Sequence, residues 1–158
     1  MRINSLRSLM ERHRIDACII PSADPHMSEY PAEHWKFREW LSGFTGSAGT
    51  LIVTLKEAGL WTDSRYFLQA EKQLSGTGTT LFKEGFPDTP SQTAWLLSSL
   101  HEGNTIGVDG NCITADQLQT LKKDLPVFHI RTDIDIAGII WNNRPELPHT
   151  PLFTLPLI

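Results

Sequence analysis

Three observations in this 158-residue chain predict an α/β fold, a mixed sheet of about six strands flanked by helices. Two apolar runs in the first half are separated by a three-residue turn, the pattern of an antiparallel hairpin. The other apolar runs stand singly between helical stretches, and helical crossovers bring such strands back parallel. With 40% hydrophobic and 20% charged residues, five Trp and seven Phe, the composition is that of one domain that buries a real core.

The elements follow in order. Leu6, Leu9 and Met10 recur at helical spacing with Arg7, Ser8, Glu11 and Arg12 on the polar side, so residues 4–14 form an amphipathic helix capped by Asn4 or Ser5. The run DACIIP at 16–21 closes on proline and reads as a buried, central strand. Residues 22–34 are polar and twice broken by proline, a surface loop, and a helix over 35–41 follows. The glycine-rich GFTGSAG then leads into strands 50–55 and 59–62, the hairpin, joined by 56–58. Asp63 or Ser64 caps a helix over 65–74, and 79–83 is a strand. In the second half Thr89 caps, and Pro90 opens, a helix through Leu100, with a strand over 105–108. Thr114 and Gln117 form a capping box for a helix to Lys123, then come a strand over 126–130 and a helix over 133–141. The domain therefore occupies 1–143. Residues 144–158, with four prolines, form an extended linker toward a further domain.

Composition also excludes whole classes of function. Fourteen Lys and Arg against eighteen Asp and Glu leave a net charge of −4 with neither sign in a long block, which argues against nucleic acid as a partner. No apolar run approaches the roughly 18 residues of a membrane span, and the charged start lacks a signal peptide's apolar stretch. Cys18 and Cys112 sit in apolar segments without metal-ligand spacing, the usage of buried thiols in a reducing compartment, so a cytoplasmic location is expected.

The motifs carry less chemistry than they first suggest. GFTGSAG offers backbone amides but lacks the Lys-Ser/Thr of a phosphate loop and the spacing of a dinucleotide fingerprint, so it reads as a tight turn into a strand. His26, Glu29 and His34 match neither zinc-helix spacing, and Pro31 breaks any helix that would align them. Asp133 with Asp135, and Asp116 with Asp124, read as helix caps and solvated faces. The most specific local signal is WTDSRYF at 61–67, a strand end running into a capped helix, where ligands of α/β sheets lie. Arg65 there falls in a first helical turn, against the helix dipole. Its guanidinium either holds a carboxylate through two parallel hydrogen bonds or is a surface arginine paired with Asp63 or another acid, and the residues alone lean to the second.

The blocks IIPSADPHMSEY, FREWLSGFTGSAGTLIV, LWTDSRYFLQAEKQL, DTPSQTAWL, IGVDG and IIWNNRPELP together resemble the amino-terminal domain of the three-domain Xaa-Pro aminopeptidases (aminopeptidase P), in order and over nearly the whole chain. The resemblance implies the ribonuclease-H-like fold of creatinase/prolidase amino-terminal domains. It implies hydrolysis of the bond between an amino-terminal residue and a following proline, by a carboxy-terminal domain that binds two divalent metal ions, commonly manganese, through two Asp, one His and two Glu. That domain has no counterpart in this sequence, so no metal ligand or catalytic residue is assigned here, and His26 and His34 do not fill the gap. Arg65 and Tyr66 of the TD-x-R-Y block are the candidates for contacting peptide beyond the scissile bond. The implied partners are the protein's own carboxy-terminal domains and peptides with proline second, with a homodimer left open.

Two functions follow as expectations. The first is a non-catalytic domain that shapes substrate access and assembly in a proline-specific metallo-aminopeptidase. The second is a free-standing peptide-binding or regulatory domain. The apolar end at 154–158 would be an odd natural terminus, which favours the first. A ribonuclease activity ranks last, because fold does not carry function and no carboxylate cluster for two metals is evident.

Overall fold

The computed structural model describes residues 2–151, 153 and 154. Six strands, β1 (Ala17–Pro21), β2 (Thr50–Thr54), β3 (Ala58–Thr62), β4 (Thr80–Lys83), β5 (Thr105–Val108) and β6 (His129–Arg131), form one sheet in the order β4-β3-β2-β1-β5-β6. β2 pairs antiparallel with both β1 and β3, while β1 with β5, β3 with β4 and β5 with β6 are parallel. The hairpin therefore inserts one reversed strand into an otherwise parallel sheet, the mixed sheet expected from the alternation of elements.

The strands alternate which face they fill, as the two-residue period of a strand requires. Cys18, Ile20, Leu51, Val53 and Leu60 pack on one face beneath helices α1 (Arg2–His13), α2 (Phe37–Ser42), α3 (Phe67–Leu74) and α6 (Ile136–Ile140). Ala17, Ile52, Trp61 and Ile106 point to the other, with Leu96 of α4 (Gln92–Ser99) and Leu121 of α5 (Ala115–Asp124) packed against them. The result is three layers, helix, sheet and helix, with the sheet buried on both sides.

Local chemistry sets most boundaries. Thr114 accepts from the backbone N–H of Gln117 and the Gln117 side chain accepts from that of Thr114, the capping box predicted. Replacing Thr114 by alanine removes the hydroxyl that accepts from Gln117 N–H and keeps the backbone N–H that Gln117 holds, and a urea melt should show a loss of about 1 kcal/mol. Gly43 ends α2 in the left-handed region at φ 76°, where a side chain is disfavoured.

Several boundaries differ from expectation, among them those of α2, which runs over Phe37–Ser42 rather than 35–41, and of α3, which begins at Phe67 rather than at 65. α1 begins at Arg2, so Asn4 and Ser5 lie within it rather than capping it. The cap of α4 is Ser91, which accepts from Ala94 N–H, and not Thr89. Pro90 lies outside the helix because its carbonyl is taken by the Trp61 indole N–H at 2.9 Å. The sixth strand starts at His129, since Pro126 has no N–H for the ladder and Phe128 instead closes a turn onto Leu125. α6 starts at Ile136, capped by Asp135. The predicted linker has no helix or strand over 144–151, and its residues 152 and 155–158 lie outside the described ones.

Candidate functional site

Because β1, β3, β4 and β5 all run the same way, their carboxyl ends meet at one edge of the sheet. The loops that leave them enclose, with the 43–49 loop, a cleft of about 500 Å³ lined by Ser22, Glu29, Ser47, Arg65, Glu84 and Gln117 among others. This edge is where open α/β sheets hold ligands.

Arg65 reaches the cleft from the 3-10 turn Ser64–Tyr66 directly after β3, not from an α-helical turn. Asp63 caps that turn by accepting from the Arg65 backbone N–H at 3.0 Å. The same carboxylate takes two side-chain bonds from Arg65, Nε to Oδ1 at 2.9 Å and Nη2 to Oδ2 at 2.7 Å. Of the two alternatives left by the sequence, the structure shows the arginine paired with Asp63. The pairing does not hide it, for 66% of the side chain is exposed. Its guanidinium also lies 5.2 Å from the centre of the Tyr66 ring. Tyr66 is anchored in turn, its hydroxyl 2.6 Å from Ser47 Oγ and its ring edge-on to Phe44 at 6.0 Å.

The electrostatics keep this group charged. Hydrogen bonds from Arg65 hold the Asp63 carboxyl below its ordinary value of 3.8, and the carboxylate in turn raises the Arg65 pKa. A depressed folded-state pKa stabilises above the unfolded value and is lost as pH falls through the folded one. The Asp63–Arg65 fork should therefore be constant across pH 5 to 8 and open only below about pH 4. The Arg65 Nε–H resonance, followed by NMR through a pH titration, checks this, and a transition near neutrality would contradict it.

The remaining sequence candidates disperse. His26 donates its backbone N–H to Asp24, and His34 Nδ1 donates to the carbonyl of Pro145 at 2.6 Å. Among the described residues no group of three or more His, Cys, Asp or Glu could hold a metal ion. Asp133 pairs with Arg131 and Asp135 caps α6. Cys18 is fully buried while Cys112 is partly exposed beside the cleft, and burial pushes both thiols up to about 12.

Two arginines went unnoticed in the sequence. Arg38 is buried beneath the 43–49 loop and donates to the carbonyls of Phe44 and Gly46. Its spacing of three from Leu41, on the buried face of α2, was the available signal. Arg144 lies where an exposed linker was expected, yet its side chain is only 10% exposed. It donates to the His34 carbonyl at 2.9 Å and to both oxygens of Asp135 at 3.1 Å, and lies 5.1 Å from the Trp35 ring centre.

Residues 2–145 match the family described as creatinase/prolidase N-terminal domain. Aminopeptidase P1 of Arabidopsis thaliana is 41% identical over 160 residues, which cover 98% of this chain and 24% of the relative. A crystal structure of X-prolyl aminopeptidase from Caenorhabditis elegans, described as a cytosolic enzyme with a di-nuclear active site, superposes with a TM-score of 0.86 at 35% identity, over 93% of this chain and 26% of that one. A creatinase/prolidase-like N-terminal domain from Corynebacterium diphtheriae shares the fold at 23% identity and a TM-score of 0.58, over 83% of this chain and 92% of that one. The chain thus spans about a quarter of the length of the curated relatives it matches.

Proposed function

Because the chain belongs to the creatinase/prolidase N-terminal domain family, we propose that it is the non-catalytic amino-terminal domain of a metallo-aminopeptidase that releases the residue before proline. The observation that carries this reading is the match of nearly the whole chain to about a quarter of each Xaa-Pro aminopeptidase relative. A two-metal centre, for which manganese is our proposal, finds no ligand set among the described residues, so no hydrolytic step is assigned to them. That centre belongs on this reading to the protein's carboxy-terminal domains, the principal partners of this one.

The contribution of this chain is to hold and admit the peptide. Arg65 has two donors on Asp63, while its Nη1 makes no hydrogen bond among the described residues and its side chain is largely exposed at the cleft. That free edge suits a backbone carbonyl or carboxylate of a peptide with proline second, beyond the bond that is cut. Tyr66 supports the guanidinium through its ring. A cytoplasmic location is supported by the description of the nematode enzyme and by the two free cysteines. Association of two copies through this domain is part of the proposal only as an assembly role.

The test is to purify the full-length gene product alongside the 158-residue chain and assay both on a peptide with proline second. Release of the first amino acid by the full-length protein and none by the chain is expected. A full-length product no larger than this chain, or hydrolysis by the chain itself, would sink the reading and favour a free-standing binding domain.

A further inference from the structure

We propose that Arg38 is a positioning residue for Arg65, acting through the 44–47 loop and Tyr66, an inference that rests on the peptide contact proposed for Arg65. Arg38 is 5% exposed and forms no ion pair among the described residues. Burying a guanidinium without a carboxylate is expensive, and an apolar residue of similar volume would stabilise the fold at least as well. Burial accordingly pulls its pKa down to about 10.

All its hydrogen bonds go to one short segment. Nη1 donates to Phe44 O at 2.8 Å and Nη2 to Gly46 O at 2.5 Å, while Nε is buried without a partner. The guanidinium also sits 4.9 Å from the centre of the Phe44 ring. A planar fork with two donors fixes two carbonyls relative to each other, which a single point charge cannot do. Arg38 therefore sets the path of the backbone just before Ser47.

The segment runs into the cleft wall at Ser47, and it meets the turn that carries Arg65 at Tyr66. Ser47 Oγ meets the Tyr66 hydroxyl, and Phe44 meets the ring edge-on. At Gly46 an added Cβ would lie 2.8 Å from Tyr66 Cδ1, so the loop backbone is pressed against the ring. Tyr66 carries the Arg65 guanidinium on its face, and Asp63 holds the other side. The connection runs from Arg38 through two carbonyls, one hydroxyl and one ring to a group 27 residues further along the chain. Thr45 stays bound to Gln69 and Gln73, so removing Arg38 frees the Phe44 and Gly46 carbonyls and loosens, through Tyr66, one of the two constraints on Arg65.

The test uses the full-length protein, with short and longer peptides that have proline second. Arg38→Met should raise KM for the longer peptides about fivefold and leave kcat, and KM for the shortest substrate, at their wild-type values. The deciding arm is the cycle with Arg65→Ala. If Arg38 acts only through Arg65, the double variant has the same KM as Arg65→Ala alone. A purely structural role predicts effects that multiply, or that fall on short and longer peptides alike, and either would overturn the inference, as would an Arg38→Met protein with wild-type KM. Should Arg38→Met fail to fold, Tyr66→Phe cuts the same connection at the hydroxyl, and the same non-multiplying pattern is expected. An Arg65→Ala protein with unchanged kinetics instead rejects the peptide contact itself, and this inference with it. Arg65→Ala active in KM beside a silent or multiplying Arg38 rejects the inference alone.

Discussion

Trp61→Ala should lower the stability of the domain by about 4 kcal/mol, measured by urea unfolding of the 158-residue chain. Trp61 is 1% exposed and stacks on Phe82 at 4.2 Å, with Trp95 edge-on at 5.3 Å. Alanine leaves a cavity between the sheet and α4, lined by two aromatic rings that cannot collapse into it without leaving their own contacts. It also leaves the Pro90 carbonyl without its indole donor. For a domain of this size the loss corresponds to a fall in Tm of roughly 10 °C. Trp61→Phe is the milder change, because one ring stays in the stack while the N–H and the rest of the indole are lost. Its expected cost is about 1–2 kcal/mol. A loss below about 1 kcal/mol for the alanine variant would mean that the aromatic cluster repacks, contrary to the close fit described.

Arg65→Ala in the full-length protein should raise KM for longer peptides with proline second about tenfold, with metal content unchanged. The reasoning is geometric. Arg65 lines the cleft with its side chain largely exposed and one edge of the guanidinium locked onto Asp63, so on the proposed reading the group meets a ligand without first being ordered. Arg65→Lys should recover only part of the loss, since an ammonium keeps the charge but cannot hold Asp63 and a peptide oxygen in one plane. Steady-state kinetics on a peptide length series, with metal analysis of each variant, decides it. Kinetics equal to wild type at every length would remove Arg65 from the site.

The element order was legible because each element satisfies its own local rule. β1 announces itself by an apolar run ended by Pro21, and α5 by Thr114 and Gln117, whose exchange of hydrogen bonds lies within four residues. The misplaced boundaries depend on partners far away in sequence. Thr89-Pro90 reads as well as Ser91 for the start of α4 until the indole of Trp61, 29 residues earlier, claims the Pro90 carbonyl. Likewise the sixth strand cannot be trimmed to His129–Arg131 without knowing that its partners are Thr105–Gly107. Within the site, Asp63 and Arg65 were legible as neighbours, and their side chains do meet. Arg38 was not, because a charged residue on a helix reads as solvated by default, and its burial comes from the fold of the 43–49 loop over it.

On the proposed reading, in which carboxy-terminal domains follow, the clasp at Arg144 fixes the point from which they are carried. Held by Asp135, His34 and Trp35, with the Pro145 carbonyl bound by His34, the chain leaves the domain from a fixed point rather than from a swinging arm. Residues 146–151 then span at most roughly 20 Å as an extended, proline-rich strut. A tether rooted in this way would confine the proposed carboxy-terminal domains to a small shell and raise the local concentration of the two parts for each other. Loosening the root, as Arg144→Ala would, enlarges that shell without lengthening the tether by a single residue.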